Sequence, residues 1–150
     1  MKRFSTKLLG WYALHKRALP WRQTKDPYVV WLSEIMLQQT RVAQGLPFFK
    51  RFWNDFPTIQ DLAKASEDAV LKRWQGLGYY SRARNLHKAA KLVSEQYNGN
   101  FPSTFEELIK LPGVGPYTAS AIASICFDQV CAVVDGNVYR VLARHFDIDS

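Results

Sequence analysis

The chain has 150 residues, 47% of them hydrophobic, so it is long and apolar enough to bury a core. Its formal net charge of +7 at pH 7 favours a polyanionic partner, nucleic acid first and an anionic membrane surface second. No apolar run approaches the roughly 20 residues of a membrane span, and the first residues do not form a signal peptide. We therefore expect a soluble intracellular protein of one domain or of two small lobes.

Helical patterns follow one another along the chain, and strand-like alternation is nowhere sustained. An amphipathic stretch occupies residues 4–12. Asp26 followed by Pro27 is typical of an N-cap and a first helical position. These two residues predict the start of a helix that runs to about residue 40, apolar on nearly every side and therefore buried. A further helix is predicted over about residues 44–56.

Capping patterns mark the starts of later helices. Thr58 with Asp61, and Ser103 with Glu106, each have the spacing of a capping box, and Ser66 precedes two acids at a helix start. The next long helix is expected after two interrupting glycines, over about residues 81–97. Eight or nine short helices joined by short turns give an all-α fold.

The segment LPGVG, residues 111–115, lies between helical segments 105–110 and 116–127. Its glycines, Gly113 and Gly115, permit backbone conformations closed to other residues and a close approach to a ligand. Amides at such a turn, beside a helix N-terminus, favour a phosphate oxygen. A plain turn between helices is the alternative, but the flanking pattern and the basic chain favour a helix-hairpin-helix element that binds the DNA backbone without reading its sequence.

Two carboxylates are candidates for chemistry. Glu34 lies within the most apolar helix, where burial would raise its pKa as a general acid near neutral pH requires; a glutamate satisfied by an arginine or by helix amides is the alternative. Asp135 stands where an apolar segment gives way to a helix, a position for an ionised group that stabilises a cation or acts as a nucleophile; a simple N-cap is the alternative. Enzymes that cleave glycosidic bonds use such a pair, one protonated carboxyl group as the acid and one ionised carboxylate.

Four motifs together resemble the MutY-type adenine DNA glycosylases, a family of the helix-hairpin-helix DNA glycosylase superfamily that includes endonuclease III. They are SEIMLQQT at 33–40, GLGYY at 76–80, LPGVG at 111–115 and VDGNV at 134–138. The resemblance covers nearly the whole chain in order, and the first two motifs point to the adenine glycosylases themselves. It implies a six-helix lobe over residues 19–129 and an incomplete second helical lobe from residues 1–18 and 130–150.

The resemblance also implies an activity, the hydrolytic removal of adenine mispaired with 8-oxoguanine or guanine in duplex DNA, after the adenine has left the base stack. Glu34 would protonate the adenine at N7. Asp135, assisted by Asn137, would stabilise the oxocarbenium-like sugar or attack it transiently. Tyr117 stands where endonuclease III carries a lysine that forms a Schiff base, which implies a monofunctional glycosylase.

The same resemblance implies how the substrate is held. Trp21 and Arg22 would shape the adenine pocket, with core packing as the alternative for Trp21. Gln39 and Tyr79 would wedge into the duplex, since an inserted side chain fills the space left by an extruded base. The predicted DNA contacts are Gln39, Thr40, Leu77, Tyr79, Gly113, Val114 and Gly115. The basic helix start formed by Arg82, Arg84, His87 and Lys88 would either meet phosphate or face solvent.

Members of the resembled family carry a four-cysteine iron–sulfur cluster after the catalytic aspartate and a C-terminal Nudix-like domain. Cys126 and Cys131 do not match the cluster ligands, and two thiols make neither a disulfide framework nor a four-ligand metal site. We therefore expect two reduced cysteines, no metal ligands in this chain and a 4Fe-4S cluster in the full-length protein. We expect the 150-residue piece to be inactive alone and to expose apolar surface on its first helix and near residues 138–146.

The expected partner is duplex DNA containing A:8-oxoguanine or A:G mispairs, with no membrane partner. The expected protein is a monomer in the bacterial cytoplasm, associated with the nucleoid. Three alternatives remain. The first is an endonuclease III-type pyrimidine glycosylase, against which Tyr117 and Glu34 argue. The others are a non-catalytic DNA-binding module that uses the hairpin alone and a partner-binding helical bundle.

Overall fold

Nine α-helices and one short 3-10 helix make up the regular structure of residues 2–149, the part of the chain that the computed structural model describes. The 3-10 helix spans Pro20–Arg22. The α-helices are α1 Lys2–His15, α2 Pro27–Met36, α3 Val42–Asp55, α4 Ile59–Lys64, α5 Glu67–Trp74, α6 Tyr80–Gln96, α7 Phe105–Leu108, α8 Pro116–Phe127 and α9 Gly136–Phe146. No strand occurs within residues 2–149, which confirms the all-α prediction.

Three of the predicted helix starts are confirmed by their hydrogen bonds. The Asp26 carboxylate accepts the backbone N–H of Tyr28 at 2.9 Å, and Pro27 opens α2. Thr58 and Asp61 exchange the two bonds of a capping box at the start of α4. Ser66 caps α5 by accepting a backbone N–H at 3.2 Å. Each cap satisfies backbone donors that the first helical turn leaves without partners.

The capping box predicted for Ser103 and Glu106 is wrong. The N-cap of α7 is Thr104, one residue later, and its side chain makes no capping hydrogen bond. The shift places Glu106 at the second helical position, whereas a capping box needs its acid at the third.

The predicted end of α2 is also wrong. The helix ends at Met36 rather than near residue 40, and Leu37 is its C-cap. Residues 37–40 form a turn in which Gln39 has a φ of +55°. A right-handed helix cannot continue through a residue in that conformation. The polar residues that follow the apolar helix therefore lie in a turn at its C-terminal end.

The core is built around α2, which packs against α3, α6 and α8. Trp31 and Leu32 of this helix are fully buried, as are Phe52 of α3 and Trp74 of α5. All α2 residues except Pro27 and Glu34 are buried. The predicted burial of this helix is confirmed, and Glu34 lies where the helix meets an opening in the packing.

The two outermost described helices, α1 and α9, meet through aromatic rings. Phe4 lies with its ring centroid 4.4 Å from that of His145 and 5.6 Å from that of Phe146. Both helices expose large apolar side chains, among them Leu14 at 83% and Tyr139 at 68%, as expected from the sequence. Within residues 2–149, no helix combines the length and the apolar character needed to cross a membrane.

Candidate active site

An open cavity of about 760 Å³ lies where the 3-10 helix, the C-terminal end of α2 and the first residues of α6, α8 and α9 meet. Its volume is in the range of small-molecule sites in proteins. Eight of the predicted site residues line it together although they come from five separate parts of the chain. They are Trp21, Arg22, Glu34, Gln39, Tyr79, Tyr117, Asp135 and Asn137.

Glu34 and Tyr117 face each other across the contact between α2 and α8. Glu34 is half-buried, and the loss of water around its carboxyl raises the pKa above its ordinary value of 4.5. Burial also raises the pKa of the Tyr117 phenol, and the negative charges of Glu34 and Asp135 raise it further. The Tyr117 hydroxyl therefore lies within electrostatic reach of both carboxylates, while 42% of its residue surface remains exposed.

Hydrogen bonds at the start of α9 shift the pKa of Asp135 in the opposite direction from that of Glu34. Its carboxylate accepts the backbone N–H of Val138 at 2.8 Å and the side-chain amide of Asn137 at 3.3 Å. The bond from Val138 is the largest cause that lowers the pKa of Asp135 below its ordinary value of 3.8. Arg140 in turn donates to the Asn137 carbonyl oxygen at 2.9 Å, which orients its amide. The cavity thus combines a carboxyl that favours its proton with a carboxylate that favours its charge.

Trp21 and Arg22 form the wall contributed by the 3-10 helix. Trp21 packs edge-on against the buried ring of Phe49, with centroids 5.0 Å apart, so it both lines the cavity and packs on the core. The Arg22 guanidinium lies 5.8 Å from the ring centroid of Tyr12 in α1. Core packing, the alternative considered for Trp21, is confirmed, and its role in an adenine pocket stays a prediction.

Gln39 and Tyr79 line the mouth of the cavity from two different turns. Both are exposed and both have a left-handed backbone, with φ of +55° and +49°. Such a conformation costs of the order of 1–3 kcal/mol at a residue other than glycine and clusters at functional sites. The other left-handed residues apart from glycine within 2–149 are Asn98, Asp128 and Asp147. Asparagine and aspartate adopt this conformation far more readily than glutamine or tyrosine do.

The remaining predicted DNA contacts lie outside the cavity. Thr40 donates from its hydroxyl to the Gln38 carbonyl at 3.3 Å. Leu77 and Val114 are core residues, with 6% and 7% of their surfaces exposed. Because their side chains are buried, Leu77 and Val114 can contact DNA mainly through their backbone atoms. Their predicted roles stay predictions.

The hairpin joins α7 to α8, as the sequence predicts. Gly113 has a φ of +76°, and an added Cβ would lie 2.9 Å from the Cβ of Asn85 in α6. Gly115 does not share this conformation: it is extended, with a φ of −92°, so that part of the prediction is wrong. A Cβ on Gly115 would meet nothing within 4 Å, which leaves the backbone at the start of α8 open.

Arg82 and His87 bond backbone carbonyls instead of facing solvent, which corrects the expectation for these two residues, whereas Arg84 and Lys88 of the same helix start are exposed. His87 is 2% exposed, and its Nε2 hydrogen-bonds to the Ala65 carbonyl at 2.9 Å. The Arg82 guanidinium donates to carbonyl oxygens of residues 35, 36 and 38 and of Gly78. Sequence reasoning could not find these partners because most of them lie 44 to 47 positions away.

The described residues offer no metal site. Cys126 and Cys131 are free, half-buried thiols, and no three His, Cys, Asp or Glu side chains within residues 2–149 are grouped to hold a metal ion. Burial raises the pKa of the Cys126 thiol to about 12, so it stays protonated at neutral pH. Two thiols are also fewer than the four that a 4Fe-4S cluster needs. The residues present therefore do not fit a 4Fe-4S cluster.

Comparison with known proteins identifies the family. Residues 32–150 match the family described as HhH-GPD superfamily base excision DNA repair protein. The chain belongs to the HhH-GPD superfamily. This match covers most of the chain, and it confirms the superfamily named from the motifs.

Curated relatives in this superfamily carry the name adenine DNA glycosylase, which confirms the resemblance. One from Buchnera aphidicola subsp. Baizongia pistaciae is 45% identical over 147 residues, 97% of this chain and 42% of its own length. One from Rattus norvegicus is 52% identical and one from Homo sapiens 50% identical, each over 94% of this chain. The chain spans only 29% and 28% of those two proteins.

Solved structures of HhH-GPD type share the fold. A thermostable thymine-DNA glycosylase superposes with a TM-score of 0.87 at 31% identity, over 94% of this chain and 65% of its own. A non-covalent endonuclease III–DNA complex gives 0.80 at 25% identity, over 99% of this chain and 72% of its own. The predicted helix-hairpin-helix glycosylase fold is confirmed.

Proposed function

We propose that this protein acts as an adenine-specific DNA glycosylase, which hydrolyses the bond between adenine and deoxyribose where adenine is mispaired with 8-oxoguanine or guanine. The observation that carries the proposal is the pair of carboxyl groups on one cavity, Glu34 with a raised pKa and Asp135 with a lowered one. The choice of adenine as the base rests on the name of the relatives, adenine DNA glycosylase.

The proposed reaction uses each carboxyl group in the state that its surroundings favour. An adenine turned out of the duplex enters the cavity, and protonated Glu34 donates its proton to N7 of the base. The glycosidic bond then breaks, and its electron pair leaves with the adenine. Ionised Asp135, oriented by Asn137, stabilises the positive charge that develops on the sugar. Water adds to the sugar carbon and gives one proton to the Glu34 carboxylate, which restores the acid and leaves an abasic site.

Tyr117 makes the proposed enzyme monofunctional. A phenol has no amine and forms no imine with the sugar, so the DNA strand stays intact after the base has left. Its hydroxyl lies near both carboxylates and remains protonated because its pKa is raised. We propose that it hydrogen-bonds to the substrate at the sugar rather than attacking it.

The DNA is held on three sides in this proposal. Trp21 and Arg22 border the extruded base, and the side chains of Gln39 and Tyr79 enter the duplex beside the opposite base. The backbone of the hairpin, at Gly113, Val114 and Gly115, binds phosphate oxygens, with the open backbone at Gly115 as the most accessible part. Thr40 and Leu77 lie in the same two turns as Gln39 and Tyr79. They contact the same DNA strand as those two side chains, through their exposed atoms.

We propose the following setting for this chain. Residues 19–129 form the six-helix lobe, and residues 1–18 and 130–150 belong to a second lobe. A 4Fe-4S cluster would be held by cysteines outside this chain. The protein acts as a monomer beside the chromosome, in the cytoplasm of a bacterial cell, on duplex DNA with A:8-oxoguanine or A:G mispairs.

The deciding experiment is Glu34→Gln in the complete protein. Glutamine keeps the shape of the side chain but cannot donate the proton, so adenine release under single-turnover conditions should fall by about 10²–10⁴-fold, the usual contribution of a general acid. Binding to the mispaired duplex should persist. Glu95→Gln, at an exposed position of α6, is the matched control and should excise at the wild-type rate.

Unimpaired excision by Glu34→Gln would refute the assignment of the acid. The similarity to endonuclease III supports a pyrimidine glycosylase as the second candidate. Faster release of thymine glycol than of adenine, or capture of a covalent complex by borohydride, would favour that candidate. Binding without excision of either base would favour a non-catalytic module.

A further inference from the structure

One guanidinium connects the two turns that border the mouth of the cavity. Nη1 of Arg82 donates to the carbonyl oxygens of Ile35 and Met36, each at 3.1 Å, and of Gln38 at 2.7 Å. Nη2 donates to the carbonyl oxygen of Gly78 at 3.3 Å. The side chain of Arg82 therefore joins the C-terminal end of α2 to the turn before α6.

Two of these four carbonyls belong to the peptide units that carry the strained residues. The Gln38 carbonyl belongs to the peptide bond that precedes Gln39, and the Gly78 carbonyl to the one that precedes Tyr79. A residue enters the left-handed region by rotating the peptide units on either side of it. Hydrogen bonds to these two carbonyls thus hold both residues in a conformation that side chains rarely adopt.

Aromatic rings fix the guanidinium itself. Its central carbon lies 5.2 Å from the ring centroid of Trp74 and 5.6 Å from that of Tyr79. The Trp74 indole also donates to the Gly78 carbonyl at 3.1 Å. Cation–π contact over two rings leaves the planar group little freedom to turn.

Burying the Arg82 guanidinium has an energetic cost. Its Nε is buried and has no hydrogen-bond partner among the described residues. Burial also lowers the pKa of the guanidinium, although it remains charged. A buried donor without a partner is rare in native folds. Here the bonds from Nη1 and Nη2 to the two turns place the guanidinium where Nε meets no acceptor.

We propose that Arg82 is a positioning residue that fixes the backbones of Gln39 and Tyr79 together and so sets the spacing of the two side chains that enter the duplex. The proposal rests on the proposed function, since it assigns Arg82 to the wedge step of that reaction. Arg82 borders the same cavity as Glu34 and Asp135, and its proposed effect on the reaction does not require contact with the base or the sugar. It acts through the two turns.

The chemistry of arginine suits this task and that of lysine does not. A guanidinium has five donors in a rigid plane and can bond several carbonyls that diverge from it. An ammonium has the same charge, but it is a compact group that cannot reach both turns at once. Arg82→Lys therefore keeps the charge and removes the bridge.

The first test is hydrogen–deuterium exchange in the complete protein without DNA. In Arg82→Gln and in Arg82→Lys, backbone amides of residues 38–40 and 78–80 should exchange about tenfold faster, both turns together, while the hairpin at 111–115 is unchanged. Arg84→Gln is the control, because Arg84 lies on the same helix, is exposed and pairs only with Glu67 at 3.7 Å. Loosening of one turn alone, or of neither, overturns the proposal.

The second test measures what the turns do to DNA. A 2-aminopurine at the adenine position reports unstacking by its fluorescence. In Arg82→Gln and Arg82→Lys this signal should fall, and the single-turnover excision rate should fall by about 10²-fold, the size of effect that a small misplacement can have on a rate. Duplex affinity and its salt dependence should stay close to wild type. A salt slope reduced by about 1 would instead identify Arg82 as a phosphate contact and overturn the proposal.

The two proposals fail in different ways. Wild-type protein that unstacks 2-aminopurine but releases no adenine refutes the proposed function, while the exchange and fluorescence data still decide the role of Arg82. Normal unstacking and excision by Arg82→Lys refute the Arg82 proposal and leave the glycosylase assignment intact. If Arg82→Gln unfolds at a lower temperature than wild type, its loss of activity also reflects lost stability. Arg82→Lys and wild type are then compared at a temperature at which equal fractions of both are folded, and this comparison decides the role of Arg82.

Discussion

Glu34 and Asp135 carry the same functional group, and their surroundings alone shift their pKa values in opposite directions. Glu34 lies on an otherwise buried helix, where loss of water favours the neutral form. Asp135 accepts hydrogen bonds from a helix N-terminus, which favour the ionised form. A cavity bordered by this pair can donate a proton on one side and stabilise a cation on the other.

The raised pKa of Glu34 also makes the free energy of unfolding depend on pH. Between pH 4.5 and the raised pKa of Glu34, the folded protein keeps a proton that the unfolded chain has lost, so stability falls as the pH rises through that window. Above the raised pKa the loss is complete. We expect Glu34→Gln to unfold at a higher temperature than wild type at neutral pH, with the difference vanishing below pH 4.5.

Thermal denaturation at the two pH values measures this effect, with Glu95→Gln as the exposed control. Each kcal/mol gained should raise the midpoint by about 2–4 °C in a chain of this size. A Glu34→Gln protein that is less stable than wild type at neutral pH would mean that the ionised carboxylate has a stabilising partner.

The sequence indicated these residues to different degrees, for physical reasons. A carboxylate in an apolar helix is conspicuous, and an aspartate between an apolar segment and a glycine is typical of an N-cap, so Glu34 and Asp135 could be found. Arg82 could not, because its role depends on carbonyls of a distant turn. Nothing in a local pattern reports which backbone oxygens a long side chain will reach.

At the scale of elements, helix starts were more predictable than helix ends. A cap depends on three or four consecutive residues, so Asp26, Thr58 and Ser66 were identified from local spacing. The end of α2 depends instead on the left-handed Gln39, whose conformation is held by contacts from another helix. The capping box expected at Ser103 failed by one position, which is enough to remove both bonds.

Two threonine N-caps allow the value of a capping bond to be measured within one protein. Thr58 caps α4 with reciprocal bonds, whereas Thr104 caps α7 with none from its side chain. We expect Thr58→Ala to lower the free energy of unfolding by about 1 kcal/mol. Thr104→Ala should change it by about 0.5 kcal/mol or less, as surface substitutions usually do.

Urea denaturation of the two alanine variants beside wild type provides the comparison. Both sites are exposed threonines at helix starts, so differences in helix propensity largely cancel. An equal loss at both positions would show that the side-chain bonds at Thr58 contribute nothing net.

At the scale of the whole molecule, the fold class followed from the helical periodicity and the superfamily from four short motifs. What could not be predicted is how five distant segments surround one cavity, since that depends on the packing of α2 against three other helices. The division into two lobes remains a prediction.

The net charge of +7 leads to a prediction for DNA binding that is independent of catalysis. Each phosphate neutralised contributes a slope of about −0.9 to a plot of log affinity against log salt concentration. With the hairpin and basic side chains engaged, we expect a slope of about −3 or steeper for an undamaged duplex. Fluorescence anisotropy over a salt series measures it.

A duplex of the same bases on an uncharged peptide backbone serves as the control and should bind weakly and without salt dependence. A flat response with ordinary DNA would contradict the assignment of a phosphate-binding surface, and it would favour the helical bundle that binds a protein partner.

The left-handed backbones of Gln39 and Tyr79 also bear on how this protein can be improved as a reagent. Glycine occupies that region freely, so replacing either residue by glycine relieves strain and offers heat tolerance. A library screened only for survival at high temperature would therefore enrich glycine at positions 39 and 79 and lose the two side chains that we propose enter the duplex. Engineers who seek a hardier variant should keep these two positions constant and search for heat tolerance elsewhere in the chain.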